Sequence, residues 1–146
     1  MTTKVTAVIL NYQRPDNLDA IIPTIQTYRE VDEIIIWDNS GLLATRQVTW
    51  LRSPVKVICS TYNFGLYPRL LISLLAKNQL IWTQDDDWMI PPGVFSALYA
   101  EAVKSSLQLH GIFGRNPTKD NKYAEFYQDV NRECDIVLPN ACFFHN

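Results

Sequence analysis

Residues 4–10, Lys4-Val5-Thr6-Ala7-Val8-Ile9-Leu10, form a nearly continuous apolar run that stops abruptly at Asn11-Tyr12-Gln13-Arg14-Pro15. A strand without polar alternation is buried on both faces, which marks a central strand of a parallel sheet covered by helices. Three later runs also read as strands, the last of them buried. Residues 31–37 end at Asp38-Asn39-Ser40-Gly41, residues 55–59 lead to the turn Asn63-Phe64-Gly65, and residues 80–84 end at Asp85-Asp86-Asp87. Helical stripes separate them. Leu18, Ile21, Ile22 and Ile25 repeat at helical spacing behind Asp16 as N-cap, with Pro23 expected to kink or split the helix. Residues 42–53 are expected to carry a short helix. Pro68 opens a second main helix whose stripe is Tyr67, Leu70, Leu71, Leu74 and Leu75, through Lys77. Pro91 or Pro92 opens a third, with Val94, Leu98 and Ala102 as its face, joined by Phe95 and Tyr99, to about Ser105. A short strand at 110–114, a loop at 115–133 and a last strand at 135–138 complete the expectation. The alternation predicts an α/β fold, a three-layer Rossmann-like arrangement around a mainly parallel sheet.

The totals remove whole classes of function. At 146 residues the chain is one domain, large enough for a real core. Net charge is −2, with no cluster of Lys or Arg, so nucleic acid finds no electrostatic footprint. No run of about 18 apolar residues suggests a transmembrane segment, and residues 1–10 lack a signal-peptide pattern. Cys59, Cys134 and Cys142 show no metal-binding spacing and read as reduced, buried small hydrophobes of a cytoplasmic protein. His110, His145, Trp82 and Trp88 read as ordinary packing residues.

In open α/β sheets, ligands bind beyond the carboxyl ends of the strands. Four polar clusters fall on that edge: Asn11/Tyr12/Arg14, Asp38/Asn39, Asn63/Gly65 and Asp85/Asp87. Three adjacent carboxylates repel one another, so something should offset the cost, and a divalent cation is the natural candidate. In extended backbone Asp85 and Asp87 would face one way, roughly 6–7 Å apart at a rise of about 3.3 Å per residue, with Asp86 opposite. That spacing suits Mg²⁺ or Mn²⁺, whose shell is completed by water and phosphate. The competing reading is a solvated acidic turn, with Asp86 or Asp87 capping the segment after the turn. Tyr12 could stack on a base, Asp38 could accept from a base or ribose hydroxyl, and Arg69 near a helix N-terminus could approach an anion. No GxxxxGK[ST] or GxGxxG loop is present. An aspartyl-nucleophile phosphatase would want its acids after the first strand, where Asn11-Tyr12 stands.

Taken in order, these segments resemble a GT-A-fold glycosyltransferase. Residues 5–15 are similar to the family 2 opening VSVVIPTYNRP. Ile34-Ile35-Ile36-Trp37-Asp38-Asn39-Ser40 is similar to IIVVDDGS, with Asn39 in place of the second Asp. Asn63-Phe64-Gly65 followed by Arg69 resembles the N-x-G…R segment, and Gln84-Asp85-Asp86-Asp87 with Pro91-Pro92-Gly93 resembles the DXD metal motif. Residues 111–115 and 136–144 are closer to the exostosin-like family 64 domain. The resemblance implies a metal-dependent glycosyltransferase moving a sugar from a nucleotide-diphosphate sugar, usually a UDP-sugar, to a carbohydrate or glycoconjugate acceptor, with Mn²⁺ or Mg²⁺. It implies that Asp38 contacts base or ribose, that Tyr12, Arg14 and Asn63 line the nucleotide pocket, and that Arg69 approaches the diphosphate or sugar. Asp85 and Asp86 would contact the donor, Asp85 also holding metal or its water, and Asp87 would be the direct metal ligand. It also implies that the acceptor-binding half is short or missing from residues 1–146. None of Asp129, Glu133 and Asp135 is assignable as base. A non-catalytic nucleotide-sugar or cation-binding module is the alternative.

Overall fold

A computed structural model describes residues 2–50, 54–120, 122–127 and 133–146. Strand β1 (Val5–Asn11) is buried along its whole length. It pairs in parallel with β2 (Val31–Asp38) on one side and β4 (Leu80–Asp85) on the other. β3 (Val55–Cys59) extends the parallel set beyond β2. Beyond β4 the sheet continues antiparallel through β9 (Ala141–His145) to β5 (His110–Gly111), giving the order β3-β2-β1-β4-β9-β5. The fold is therefore α/β with a mainly parallel six-stranded sheet, and the carboxyl ends of β1, β2 and β4 lie side by side.

Strand alternation divides the core in two. Val5, Ala7 and Ile9 of β1, Ile34 and Ile36 of β2, Leu80 and Trp82 of β4 and Phe143 of β9 face one side. Helix α1 (Leu18–Ile25) packs there through Leu18, Ile21, Ile22 and Ile25, and α3 (Pro92–Ala102) through Phe95 and Ala102. Trp82 meets Phe95 edge-on at 5.4 Å between ring centroids, and Tyr28 stacks on Phe95 at 4.2 Å. Val8, Ile35 and Ile81 face the other side, where α2 (Pro68–Ser73) inserts Ile72.

Several local expectations are corrected. Asp16 caps nothing through its side chain; it pairs with Arg46 while a 3-10 turn, Pro15–Asn17, leads into α1. Helix α1 is one piece through Pro23 and ends two residues later. The expected helix at 42–53 is a 3-10 turn at Leu42–Ala44, and residues 51–53 lie outside the described residues. Helix α2 turns its predicted stripe to solvent: Tyr67, Leu70, Leu71, Leu74 and Leu75 are exposed, while Pro68, Arg69, Ile72 and Ser73 are buried. Both sides of this segment are apolar, so periodicity alone could not choose between them, and the Arg69 ion pair is made on the inner side. Val94 is exposed, and α3 packs through Phe95, Leu98, Tyr99 and Ala102. Cys59 is exposed rather than buried, at the end of the sheet's outer strand.

The region expected to be a loop carries a second sheet. β6 (Gly114–Pro117) pairs antiparallel with β7 (Tyr123–Tyr127) and β8 (Ile136–Val137). The expected last strand belongs to this small sheet, and the true last strand, β9, lies beside β4. The sheets meet where a Cβ on Gly111 would lie 2.5 Å from Val137 Cγ1 and 2.9 Å from the Ala141 carbonyl, so only glycine fits. Among the described residues no helix is long and apolar enough to cross a membrane.

Candidate active site

β4 ends at Asp85, and Asp86 and Asp87 enter a turn. Strand alternation therefore does not extend across the three acids as the sequence suggested. All three line one cleft of about 160 Å³ with Leu10, Tyr12, Arg14 and Leu66. Each acid has a different role there. Asp85 pairs with Arg69, whose side chain is almost wholly buried. Asp86 is buried and ties the β1 loop to β4: its Oδ2 accepts from the Tyr12 backbone N–H at 2.8 Å, and its carbonyl accepts from Asn17 Nδ2 at 2.8 Å. Asp87 is half-exposed and accepts from Arg14 Nη1 at 2.6 Å. The same Arg14 nitrogen reaches Asp86 Oδ1 at 3.3 Å.

The electrostatics are those of a site short of positive charge. Burial pushes the Asp85 carboxyl up to about 6; Arg69 pulls it down, and the neighbouring Asp87 and Asp86 push it further up. Burial also raises Asp86, against the Tyr12 N–H and the charge of Arg14. Arg14 is raised in turn by Asp86 and Asp87. Unpaired polar atoms, both acceptors and a donor, also remain at this edge. Asn11 Oδ1, Arg69 Nε and Asn140 Oδ1 are buried without a hydrogen-bond partner, and Asn140 gives its carbonyl to the Asp85 N–H.

Asp38 and Asn63 occupy the same edge in other roles. Asp38 is completely buried. Its Oδ1 accepts from Asn11 Nδ2 at 2.9 Å, from the Ser40 N–H at 3.0 Å and from the Ser40 hydroxyl, and its Oδ2 accepts from the Leu43 N–H at 2.8 Å. Burial pushes its pKa up, but these donors outweigh burial and hold it below the usual range. Asn63 Oδ1 accepts from the Gly65 N–H at 2.8 Å, a side-chain-closed turn completed by the positive φ of Gly65. Sequence reasoning gave no role to Asn39, which joins these pieces. Its Oδ1 accepts from Trp37 Nε1 and the Phe64 N–H, and its Nδ2 donates to the Gly65 carbonyl. The signal available was its place in the Asp-Asp position of the motif.

A carboxylate pair for a cation can be tested on the donor set. Among the described residues no group of three or more His, Cys, Asp or Glu side chains is arranged to hold a metal. Asp85 and Asp87 each engage one oxygen with an arginine, and the other accepts no hydrogen bond from the described residues. Two hard oxygen ligands fit Mg²⁺ or Mn²⁺, which hold few carboxylates and keep water or phosphate in the remaining positions.

The model of the glycosyl transferase family 64 domain matches residues 5–146. The chain belongs to this family. Glycosyl transfer is thus its class of reaction, as the order of its motifs implied. No curated protein matches the sequence significantly. Among solved structures, the 4-diphosphocytidyl-2C-methyl-D-erythritol synthase of Anaerococcus prevotii superimposes with a TM-score of 0.62 at 13% identity, covering 99% of this chain and 70% of that one. The mannosyltransferase PcManGT of Pyrobaculum calidifontis, solved in complex with GDP-Man and Mn²⁺, superimposes with a TM-score of 0.51 at 16% identity. That match covers 62% of this glycosyltransferase domain and 29% of the mannosyltransferase chain. Both likenesses describe the fold, which is GT-A-like. Late acids of the family 64 domain lie apart from these clusters in sequence. Glu133 is exposed, Asp135 donates its backbone N–H to Asn116 beside the small sheet, and Asp129 lies outside the described residues.

Proposed function

We propose that the cleft between the ends of β1 and β4 binds the diphosphate of a nucleotide-sugar donor together with Mn²⁺ or Mg²⁺. The observation that carries this reading is the convergence of Tyr12, Arg14, Asp85, Asp86 and Asp87 on one cleft at the carboxyl edge of a parallel sheet. Asp87, half-exposed, is the direct cation ligand, and Asp85 is the second ligand or holds the cation's water. A bound cation would neutralise the diphosphate as it leaves. Arg14 stands free enough to turn toward a phosphate. Buried Arg69 fixes Asp85, and the Tyr12 ring offers a surface on which a base can stack. Asp86 positions rather than binds, because its carboxylate holds the Tyr12 backbone and Arg14. Asp38, Asn39 and Asn63 act on the pocket through the loops they close. A UDP-sugar is the donor proposed first, and GDP, the nucleotide of the mannosyltransferase's ligand, is the one to test beside it.

Thermal unfolding with UDP or GDP, each with and without Mn²⁺, tests the reading. Tm should rise with nucleotide and Mn²⁺ together, and much less with nucleotide alone. No rise with either nucleotide would sink the proposal. Donor bound but neither hydrolysed nor transferred would favour the binding-module reading.

A further inference from the structure

Of the four tryptophans, three give their indole N–H to a side chain: Trp37 to Asn39 at 2.8 Å, Trp50 to Asp19 at 2.8 Å and Trp82 to Gln84 at 3.1 Å. Trp88 differs. It is 40% exposed, and its Nε1–H donates to none of the described residues. Its place is nonetheless fixed. Buried Gln84, which accepts from Trp82, donates Nε2 to the Trp88 carbonyl at 2.7 Å. The ring leans on buried Phe113, with centroids 4.8 Å apart and planes at 60°. Packing, the role its sequence context suggests, thus accounts for part of the indole and leaves the rest, with a donor, unused.

Position says what the unused part faces. Trp88 directly follows Asp87, the residue assigned to the cation, and it is not among the residues lining the donor cleft. Tyr12 and Arg14 follow β1 on one side of β4, whereas Phe113 follows β5 at the other end of the sheet. On the donor reading above, on which this inference rests, the base lies on the β1 side and the sugar end of the donor points toward β9 and β5. The second substrate of glycosyl transfer must reach the carbon that leaves the diphosphate, so it arrives beside the cation and outside the donor cleft. A rigid aromatic surface with one hydrogen-bond donor matches a sugar ring, whose C–H groups pack against the electron-rich face of an arene and whose hydroxyl oxygens accept hydrogen bonds. A purely apolar partner would leave the N–H unpaired. We propose that Trp88 positions the acceptor, a pyranose ring packing on the indole and accepting from Nε1–H.

Nuclear magnetic resonance of the indole N–H groups tests this on the full chain with UDP and Mg²⁺ bound, the Trp88 signal being the one lost in Trp88→Leu. Titration with the methyl glycosides of glucose, galactose and mannose should move the Trp88 signal saturably with at least one of them and leave the other three indoles in place. No movement with any of the three overturns the inference. A signal that moves on replacing UDP by UDP-glucose but stays still with the glycosides gives Trp88 to the donor sugar, and also overturns it. Trp88→Leu keeps apolar bulk without the ring or the donor; its glycoside Kd should rise at least about tenfold, with the Tm rise from UDP and Mn²⁺ retained. An unchanged Kd would reduce Trp88 to packing. If that variant loses its native circular dichroism spectrum, Trp88→Phe carries the test: it keeps a ring against Phe113 and loses the N–H, so the Kd should rise a few-fold, and an unchanged Kd overturns the inference. Absence of the nucleotide-dependent Tm rise in the wild type strikes the donor reading and this inference with it, whereas that rise without a glycoside response strikes this inference alone.

Discussion

Glu33, near the amino end of β2, and Asp85, at the carboxyl end of β4, are carboxylates removed from water at opposite ends of one sheet, and their surroundings differ in kind. Glu33 Oε2 accepts from the Thr6 hydroxyl at 2.7 Å and the Lys77 N–H at 2.8 Å, and its Oε1 accepts from Lys56 Nζ at 2.6 Å. Burial would raise its pKa, but these three donors outweigh it and hold the group below the usual carboxylate range. Asp85 has one arginine, two acidic neighbours and a pKa pushed up to about 6 by burial first. A carboxylate with both oxygens engaged ties strands together. A crowded, under-neutralised set at an open cleft is arranged to gain from an incoming cation.

That contrast predicts opposite responses to mutation. Asp87→Ala should leave the unliganded stability within about 0.5 kcal/mol, the usual range for exposed sites. It should also remove the stabilisation that nucleotide and Mn²⁺ give the wild type, about 2.7 kcal/mol at a ligand concentration of a hundred times Kd. Urea unfolding with and without ligand measures both. Glu33→Ala should do the reverse, destabilising the free protein by about 1–3 kcal/mol because buried donors lose their acceptor, with ligand binding intact. Its pH signature comes from the sign of the shift. Because the folded pKa lies below the unfolded one, the stabilisation is fully present above the ordinary value of 4.5 and is lost as pH falls through the folded pKa. Unfolding curves between neutral and acid pH should show this loss in the wild type and a flatter dependence in Glu33→Ala. The smallest effect is expected at Arg14, an exposed guanidinium that competes with a cation for Asp87. Arg14→Gln should tighten Mn²⁺ binding a few-fold by calorimetry. Unchanged or weaker binding would show that Arg14 does not compete.

The strands and their carboxyl edge were legible because each of the four runs ends in a change of chemistry, as at Leu10-Asn11 and Gln84-Asp85. Facing was harder to read. Helix α2 has apolar residues on both sides, and Ile72 rather than the longer leucine stripe meets Val8 and Ile81. The small sheet of β6, β7 and β8 escaped because its strands are short and set among turn residues, and β9 reads in sequence as a tail after Pro139-Asn140. At the site, residue types could be read from sequence but partners could not. That Asp86 is spent on the Tyr12 backbone, and Asp38 on Ser40 and Leu43, depends on which loops fold back, which no spacing reveals.

The most direct measurement is anomalous diffraction at the manganese edge from crystals soaked with Mn²⁺ and UDP, with GDP as the second nucleotide. A manganese peak between the Asp85 and Asp87 carboxylates, with diphosphate density in the cleft beside Tyr12 and Arg14, is the expected result. A cleft empty of both metal and nucleotide, or a peak held by other residues, would contradict the assignment of the carboxyl edge as the donor site.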